Sequence, residues 1–231
     1  MTGSVYVKHY ADPARAAAAA AHHAWMRDLG AVRVPALLES RSHCLVFEHL
    51  GHHQPGPNDL IRLADAVGRT HHIAHQRHFF DARLDRPVRM GDLLIKDFVS
   101  SRRNVLAQAA APLPLRPVAF YKDSNIRNFL LIDEGVAVID FDDLTLAPFG
   151  YDLAKLIVST AMTHGRLHPA TVEHALGSYN SHLPYEARCS LPSLQRYAEI
   201  HHHLTAPYLH RNGYRHSWVD VRPWPPRTST R

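Results

Sequence analysis

One stretch constrains the fold of this chain more than any other, because it alternates apolar strands with acidic and amide side chains. It covers residues 120–155 and reads FYKDSNIRNFLLIDEGVAVIDFDDLTLAPFGYDLAK. The Asp-Glu-Gly sequence at 133–135 separates two apolar runs, a pattern typical of a β-hairpin. Asp140 ends the second run, so the hairpin returns it to the side of Asn128. The stretch therefore predicts a polar site at the open end of a hairpin.

Three side chains of this stretch have the chemistry of a magnesium-dependent site. Asp123 and Asn128 are five positions apart on a loop that enters the first strand, and Asp140 follows on the second strand. Magnesium prefers such oxygen ligands and completes its coordination with phosphate oxygens. Phosphoryl transfer needs a group that orients the hydroxyl, metal ions that bridge the phosphates and a cation on the phosphates. Because a DxxxxN spacing alone also serves ordinary turns, the prediction depends on all three residues in this order.

The same stretch resembles the catalytic core of the aminoglycoside phosphotransferase and choline kinase families, which are relatives of protein kinases. Their usual pattern is H-G-D-x-x-x-x-N, a hairpin, I-D-F or I-D-W, and then Y-D-L-A. The resemblance implies that Asp123 is the catalytic base and that Asn128 and Asp140 bind Mg²⁺. It also implies that Asp152 braces the catalytic loop. The resemblance is strong over this stretch and weak over most of the remaining chain.

The N-terminal region resembles the nucleotide-binding lobe of the same families. Lys8 lies on an alternating Val-Tyr-Val-Lys strand, where the families have a phosphate-anchoring lysine. Residues 45–50 resemble their hinge, which implies that backbone groups of Glu48, His49 and Leu50 hydrogen-bond the adenine edge of the nucleotide. A solvated edge lysine and a buried strand end are the structural alternatives at these two places.

The sequence departs from the family pattern in ways that bear on nucleotide use. The chain begins almost at the Lys8 strand, which leaves no room for the glycine-rich hairpin that covers the phosphates. A misplaced start, a site completed by a partner or a degenerate site would each explain this. Positions 14–24 offer only Ala, Arg and His, so no helix glutamate pairs with Lys8, and we expect its side chain to be mobile. Tyr121 stands where the family has His, and Lys122 where it has Gly or Arg.

These features predict an α+β, two-lobed, protein-kinase-like fold with a small mixed N-terminal lobe that lacks the glycine-rich hairpin. Residues 1–50 are expected to form this lobe, 51–58 the hinge, 59–221 a larger and mainly helical lobe, and 222–231 a tail. Helices are predicted over 13–29, 60–71, 90–110, 151–163, 169–183 and 193–209, and strands over 5–8, 34–39, 43–48, 118–120, 128–132 and 136–141.

Composition excludes several other classes of protein. The net charge of +5 is modest and the basic residues are scattered, which argues against a nucleic-acid-binding surface. Cys44 and Cys189 are far apart and form no CxxC motif, so we expect no disulfide framework or zinc ribbon. No apolar run reaches the roughly 18 residues that a membrane helix needs. We expect a cytoplasmic protein.

The twenty histidines invite a metal-binding interpretation. His71 and His75 have the spacing of two ligands on one helix face. No HExxH motif occurs, however, and no cysteine lies near them in the sequence. We therefore expect the histidines to be mostly solvated on helix faces.

The sequence thus predicts a phosphotransferase that uses Mg²⁺ and ATP (or GTP). Its acceptor would be a hydroxyl of a small molecule such as an antibiotic, a nucleoside, an amino alcohol or a sugar. Asp142 and Asp143 would suit a cationic, amine-bearing acceptor, or they simply cap the loop. The alternatives are a weakly active pseudokinase that binds a nucleotide or a partner, and a kinase of sugars, lipid cores or proteins.

Overall fold

The structure is a computed structural model, and it describes residues 4–51, 53–107, 113–140 and 142–225. The α-helices are α1 (Pro13–Leu29), α2 (Leu60–Ala74), α3 (Arg103–Ala107), α4 (Tyr151–His164), α5 (Pro169–Asn180), α6 (Leu191–Thr205) and α7 (Trp218–Val221). The strands are β1 (Val5–His9), β2 (Leu37–Ser40), β3 (Cys44–Glu48), β4 (Val88–Met90), β5 (Leu93–Ile95), β6 (Val118–Tyr121), β7 (Phe129–Ile132), β8 (Gly135–Val138) and β9 (Thr145–Pro148).

The first helix, α1, has both ends fixed by local side-chain and backbone chemistry. Asp12 is the N-cap, and its carboxylate accepts the backbone N–H of Arg15 at 2.9 Å. Pro13 occupies the first turn, where its missing N–H costs no hydrogen bond. Gly30 ends the helix with a φ of 63°, a left-handed conformation that favours glycine. The predicted helix over 13–29 is confirmed.

The N-terminal sheet has three antiparallel strands in the order β1-β3-β2. Strand β1 is an edge strand, and its residues Val5, Tyr6 and Val7 are between 41% and 55% exposed. After β3 the chain turns away from the sheet, and the backbone of His53 pairs with that of Leu131 on β7. This pairing joins the segment that follows the sheet to the hairpin of the larger lobe.

The larger lobe is built around α4, in which twelve of fourteen residues are buried. Helix α4 packs against α6, while α2 packs against α5. Gly68 permits the close approach of α2 and α5, because a Cβ there would lie 2.4 Å from the Tyr179 carbonyl oxygen. Bridges of Ala137 with Arg33 and of Leu131 with His53 join the hairpin β7–β8 to segments next to the N-terminal sheet. The pair β6–β9 packs on α4.

The predicted helix over 90–110 is wrong in its first half. Residues 88–95 form the hairpin β4–β5, and its turn contains Gly91 with a φ of 57°. Helical structure begins only at Ser100, and α3 ends at Ala107 within the described residues. Helices α5 and α6 are confirmed, although each ends several residues before its predicted end. Residues 1–3 of the predicted lobe, His52 of the hinge, 108–112, Phe141 and 226–231 of the tail lie outside the described residues.

The expectation of mostly solvated histidines is wrong for several of the clusters. Among the described residues, five histidines are buried, namely His22, His23, His71, His75 and His201. They bond to distant partners, as when His75 Nδ1 lies 2.8 Å from the Val118 carbonyl oxygen. Within the described ranges, no group of three or more His, Cys, Asp or Glu residues could hold a metal ion. The same part of the chain has no helix long and apolar enough to cross a membrane.

The two cysteines are buried and unpaired, one in each region of the molecule. Cys44 begins β3 of the N-terminal sheet. Cys189 precedes α6 and packs beneath Gly150, where a Cβ would lie 2.3 Å from its Sγ. Burial raises the pKa of the Cys189 thiol to about 12.

Candidate active site

A cleft of about 420 Å³ separates the N-terminal sheet from the hairpin of the larger lobe. It brings together all the residues that the sequence assigned to nucleotide and metal, together with one predicted acceptor contact. These residues are Lys8, Glu48, His49, Leu50, Asn128, Asp140 and Asp142. The sequence did not single out its apolar walls, which are formed by Tyr6, Ala19, Pro35, Phe47, Leu130 and Ile139.

One end of the cleft is ionic. The Nζ of Lys8 contacts Asp140 Oδ1 and lies 2.7 Å from Asp142 Oδ2. The Tyr10 hydroxyl donates to Asp142 Oδ1 at 3.2 Å. Burial alone would lower the pKa of Lys8, but the hydrogen bonds to Asp140 and Asp142 outweigh it and raise that pKa. The structure therefore differs from the expectation of a mobile Lys8, because carboxylates from beyond the hairpin take the place of a helix glutamate.

The other end of the cleft, where the central strand β3 ends, is already partly engaged by backbone hydrogen bonds. The backbone N–H of Glu48 donates to the Ala36 carbonyl at 2.9 Å, and that of His49 donates to the Ser4 carbonyl at 3.1 Å. The Glu48 carboxylate accepts the Ala36 N–H at 2.9 Å and contacts Arg33. The backbone N–H groups of Glu48 and His49 are therefore already bonded within the protein.

Asp123 lies on a loop that adjoins the ionic end of the cleft. Its backbone has a φ of 64°, and that of Asp140 has a φ of 59°. Both are left-handed conformations, which non-glycine residues adopt rarely and which cluster at functional sites. The amide Nδ2 of Asn128 donates to the Asp123 carbonyl at 3.0 Å. This bond fixes the amide nitrogen. Asn128 Oδ1 and the Asp140 carboxylate, whose residues both line the cleft, are oxygen donors of the kind that Mg²⁺ prefers.

The Asp123 carboxylate is half exposed and is held on one oxygen. Its Oδ1 accepts the Tyr121 hydroxyl at 3.0 Å and lies 3.3 Å from Lys155 Nζ. Burial and the charge of Asp123 raise the pKa of Tyr121 well above its usual value, so its hydroxyl remains a donor. The carboxylate is therefore oriented from one side while its other side faces solvent.

Asp152 is buried beneath the Asp123 loop. Its Oδ1 accepts the backbone N–H of Ser124 at 3.1 Å, and its Oδ2 lies 3.6 Å from His71 Nε2. Burial alone would raise the pKa of Asp152, but its interactions with His71, Lys122 and Ser124 lower it. An ionised Asp152 thus contacts the residue next to Asp123, an arrangement in which it would brace the loop as the resemblance implies.

Sequence reasoning missed a lysine and a tyrosine that also hold the loop. Lys155 Nζ donates to the Tyr214 hydroxyl at 3.0 Å, and the same hydroxyl accepts Asn125 Nδ2 at 3.1 Å. Burial alone would lower the pKa of Lys155, but the charge of Asp123 raises it. Lys155 lies three residues after Asp152, so helical spacing places both on one face. The sequence contains no comparable signal for Tyr214.

Asp142 and Asp143, the two predicted acceptor contacts, separate in the structure. Asp142 lies at the ionic end of the cleft with Lys8 and Tyr10. Asp143 lies outside the cleft lining, and its Oδ1 is 3.0 Å from Lys96 Nζ. Each acid therefore already has a basic partner.

Comparison with known proteins gives the class of this protein, a phosphotransferase. The model of the phosphotransferase enzyme family matches residues 2–188, and the chain belongs to that family. A comparison with curated proteins gives no significant match.

Solved structures of phosphotransferases share the fold of this chain at low sequence identity. The macrolide 2′-phosphotransferase of Brachybacterium faecium is 16% identical with a TM-score of 0.56, over 97% of this chain and 87% of that one. An aminoglycoside phosphotransferase of Streptomyces rimosus, in complex with ADP and streptomycin, is 16% identical with a TM-score of 0.56, over 86% of each chain. A choline kinase of Streptococcus pneumoniae is 14% identical with a TM-score of 0.56, over 87% of this chain and 75% of that one. The predicted α+β, protein-kinase-like fold is confirmed.

Proposed function

We propose that this protein is a Mg²⁺-dependent kinase that transfers the terminal phosphoryl group of ATP or GTP to a hydroxyl of a small molecule. One observation carries the proposal. The half-exposed Asp123 adjoins, through its hydrogen bond with Asn128, the ionic end of a cleft that also contains Lys8 and Asp140. A group that orients a hydroxyl, a pair of metal ligands and a cation for phosphate are the parts that phosphoryl transfer needs.

Asn128 and Asp140 would hold the metal ion, which neutralises charge on the phosphates when it is bound. Lys8 would exchange its contacts with Asp140 and Asp142 for contacts with phosphate oxygens. A lysine suits this exchange because its ammonium group is a compact charge on a flexible stem. The side chain is one-quarter exposed, so phosphate can reach it from the cleft.

The base of the nucleotide would lie between the apolar walls of the cleft, with Phe47 on one side and Leu130 and Ile139 on the other. Its polar edge would meet the backbone of Glu48, His49 and Leu50. We take residues 51–58 as the hinge between an N-terminal lobe and a helical lobe. The use of a nucleotide and two unpaired cysteines suit a cytoplasmic location.

Asp123 would accept the acceptor hydroxyl and orient it towards the terminal phosphate. Tyr121 and Lys155 hold one carboxylate oxygen, which leaves the other oxygen for that hydroxyl. An aminoglycoside phosphotransferase that shares this fold is known in complex with ADP and streptomycin, which supports a small-molecule acceptor for this chain too.

The substitution Asp123→Asn tests the proposal. It keeps the size of the side chain and removes the base, so turnover should fall by at least about 100-fold while nucleotide binding persists. Asp133→Asn, which removes the same charge at the turn between β7 and β8, is the control and should retain its rate. A wild-type rate that Asp123→Asn leaves untouched would mean that the base is elsewhere.

A nucleotide-binding pseudokinase is a second candidate, and the position of Lys8 favours it. In the structure Lys8 occupies the carboxylate of Asp140 that a metal ion would need. A wild-type protein that binds nucleotide, yet transfers phosphate to no member of a broad panel of hydroxylated antibiotics, nucleosides, amino alcohols and sugars, would select this alternative.

A further inference from the structure

A small buried cavity lies beneath the Asp123 loop and shares no lining residue with the cleft. Its volume of about 10 Å³ is on the scale of a single water molecule. We propose that one ordered water molecule binds in this cavity and joins Lys122 to Asp152. The water site is independent of the proposed kinase activity, because it is defined by the packing beneath the loop.

Most of the cavity wall is apolar and buried. Side chains of α1, α2, β6 and the hairpin β7–β8 form it, namely Met26, Ala66, Val67, Phe120, Phe129 and Val138. Lys122, His71 and Asp152 also line the cavity, and each of them is at most 4% exposed. Polar groups in such surroundings cost free energy unless hydrogen bonds replace the water that they lose on burial. The hydrogen bonds of these three side chains therefore decide what the cavity holds.

The ammonium group of Lys122 has no hydrogen-bond partner among the described residues. Its Nζ lies 4.4 Å from the ring centre of Phe129, which also lines the cavity. The ring face attracts the positive charge, but it does not replace hydrogen bonds for three N–H donors. Burial lowers the pKa of Lys122, whereas the charges of Asp152 and Asp123 oppose that shift. The ammonium group therefore needs an acceptor within the cavity.

The carboxylate of Asp152 is satisfied on one oxygen and not on the other. Its Oδ1 accepts the backbone N–H of Ser124 at 3.1 Å. Its Oδ2 is buried and forms no hydrogen bond with a described residue. The nearest basic atom to this oxygen in an ion-pair contact is His71 Nε2 at 3.6 Å, which is longer than a hydrogen bond. Oδ2 is therefore an acceptor that needs a donor.

The ring of His71 presents a second donor at the same place. The Tyr179 hydroxyl accepts the Gly150 N–H at 2.9 Å and lies 2.8 Å from His71 Nδ1. The hydrogen of this hydroxyl is thus available to Nδ1, and the neutral ring then carries its own proton on Nε2. Nε2 also has no hydrogen-bond partner among the described residues.

One water molecule satisfies all three groups. It accepts hydrogen bonds from Lys122 Nζ and His71 Nε2 and donates one to Asp152 Oδ2. Three hydrogen bonds are typical of a buried water. The ammonium group would repel a metal ion, and the cavity is too small for a larger molecule.

The water would tie both neighbours of Asp123 to one carboxylate. Ser124 reaches Asp152 directly through its backbone N–H, and Lys122 would reach it through the water. Between these two residues, Asp123 has a left-handed backbone with a φ of 64°. Such a conformation persists in a non-glycine residue only when the surrounding structure holds it. The water therefore closes a ring of hydrogen bonds around the strained residue.

The direct test uses the wild-type protein without nucleotide. In NMR spectra of the ¹⁵N-labelled protein, the Lys122 ammonium hydrogens should show a nuclear Overhauser effect to a long-lived water. A crystal structure should show that water within about 3.2 Å of Lys122 Nζ and Asp152 Oδ2. A direct hydrogen bond between Lys122 and Asp152, or a Lys122 that stacks on Phe129 with no water beside it, would overturn the proposal.

A pair of variants tests the bridge and its effect on the loop. Lys122→Met removes the charge and the donors, and ¹⁷O relaxation dispersion should then count one long-lived water fewer than in the wild type. The amide hydrogen of Ser124 should exchange about tenfold faster, because one charge-assisted hydrogen bond no longer holds the loop closed. Lys96→Met removes a lysine whose side chain is 58% exposed and should change neither quantity.

An unchanged water count in Lys122→Met would overturn the bridge, and unchanged exchange of Ser124 would overturn its role in the loop. If Lys122→Met does not fold, the NMR measurement on the wild type still decides whether the water is bound. Phosphate transfer is not measured in any of these experiments. The water site and the proposed kinase activity can therefore fail separately.

Discussion

The N-terminal sheet and the helical body around α4 contribute to the same site in different ways. The edge strand β1 exposes Val5, Tyr6 and Val7, whereas α4 buries nearly all its side chains. Exposed elements with few buried apolar contacts open locally at lower free energy than packed cores do. The half of the site carried by the body is therefore fixed by packing, and the half carried by the sheet is fixed by contacts across the cleft.

Two lysine–aspartate pairs illustrate the difference between the helical body and the N-terminal sheet. Lys155 of α4 contacts Asp123 with only 6% of its side chain exposed, whereas Lys8 of β1 contacts Asp140 with 24% exposed. A buried pair leaves an uncompensated charge when one partner is removed, while a more exposed pair is screened by water. We therefore expect the Asp123 loop to keep its form without ligand, and the ionic end of the cleft to rearrange if a nucleotide binds there as proposed.

The largest expected effect is on the stability of the body. Leu153→Ala removes a fully buried side chain from α4 and should lower the free energy of unfolding by about 2–5 kcal/mol. Leu38→Ala, at an exposed position of β2, should change it by less than about 0.5 kcal/mol. Urea unfolding followed by circular dichroism measures both, and similar losses in the two variants would contradict the comparison.

A smaller effect is expected on nucleotide affinity. If Lys8 anchors phosphate as proposed, Lys8→Ala removes a charge-assisted hydrogen bond worth about 1.5–3 kcal/mol, which corresponds to an affinity about 10- to 150-fold lower. Binding of the nucleoside without phosphates should be unchanged. Arg41→Ala, between β2 and β3, is a control in the same lobe and should bind the nucleotide as the wild type does. If Lys8→Ala also binds the nucleotide normally, Lys8 is not the phosphate anchor.

The smallest expected effect is a pH dependence of stability. It should be larger for His201 in the helical body than for His23 beside the sheet. The lowered pKa of His201 means that the unfolded chain binds a proton near pH 6.5 that the folded chain does not. Stability contributed by this residue is thus present above pH 6.5 and is lost as the pH falls below it, by about 1 kcal/mol for each pH unit. Burial also lowers the pKa of His23 beside the sheet, but its hydrogen bond to the Pro35 carbonyl opposes the shift.

Unfolding at pH 7.5 and 5.5 tests this assignment. Between pH 7.5 and 5.5, His201→Gln should lose less unfolding free energy than the wild type does. His23→Gln should differ from the wild type in the same direction but by a smaller amount. Equal pH dependence in the wild type and His201→Gln would show that other groups control the acid response.

Local chemistry explains which elements were predictable from the sequence. The ends of α1 follow from Asp12 and Gly30, because a cap and a left-handed glycine act within one turn. The hairpin β4–β5 was missed although Gly91 and the following Asp92 were a visible turn signal between two short apolar runs. The buried histidines gave no signal at all, since His71 owes its burial partly to a contact with Tyr179, which is 108 positions away.

In the candidate site, too, arrangements set by nearby residues were predictable and contacts between distant residues were not. Motif spacing was enough to predict that Asn128 and Asp140 lie in one cleft, because a hairpin joins them. The partners of Lys8 were not predictable, since Asp140 and Asp142 reach it only after the sheet folds over the hairpin. The roles of these residues remain predictions that the substitutions above test.

The two buried cysteines can serve as probes of local opening, one in each region. A thiol reagent reaches Cys44 only when the sheet opens, and reaches Cys189 only when the packing beneath Gly150 opens. Labelling rates of the two thiols, read by mass spectrometry, therefore compare the opening rates of both halves in one unmodified protein. Nucleotide should slow the labelling of Cys44 and leave that of Cys189 nearly unchanged, because the ligand would join the sheet to a body that is already closed.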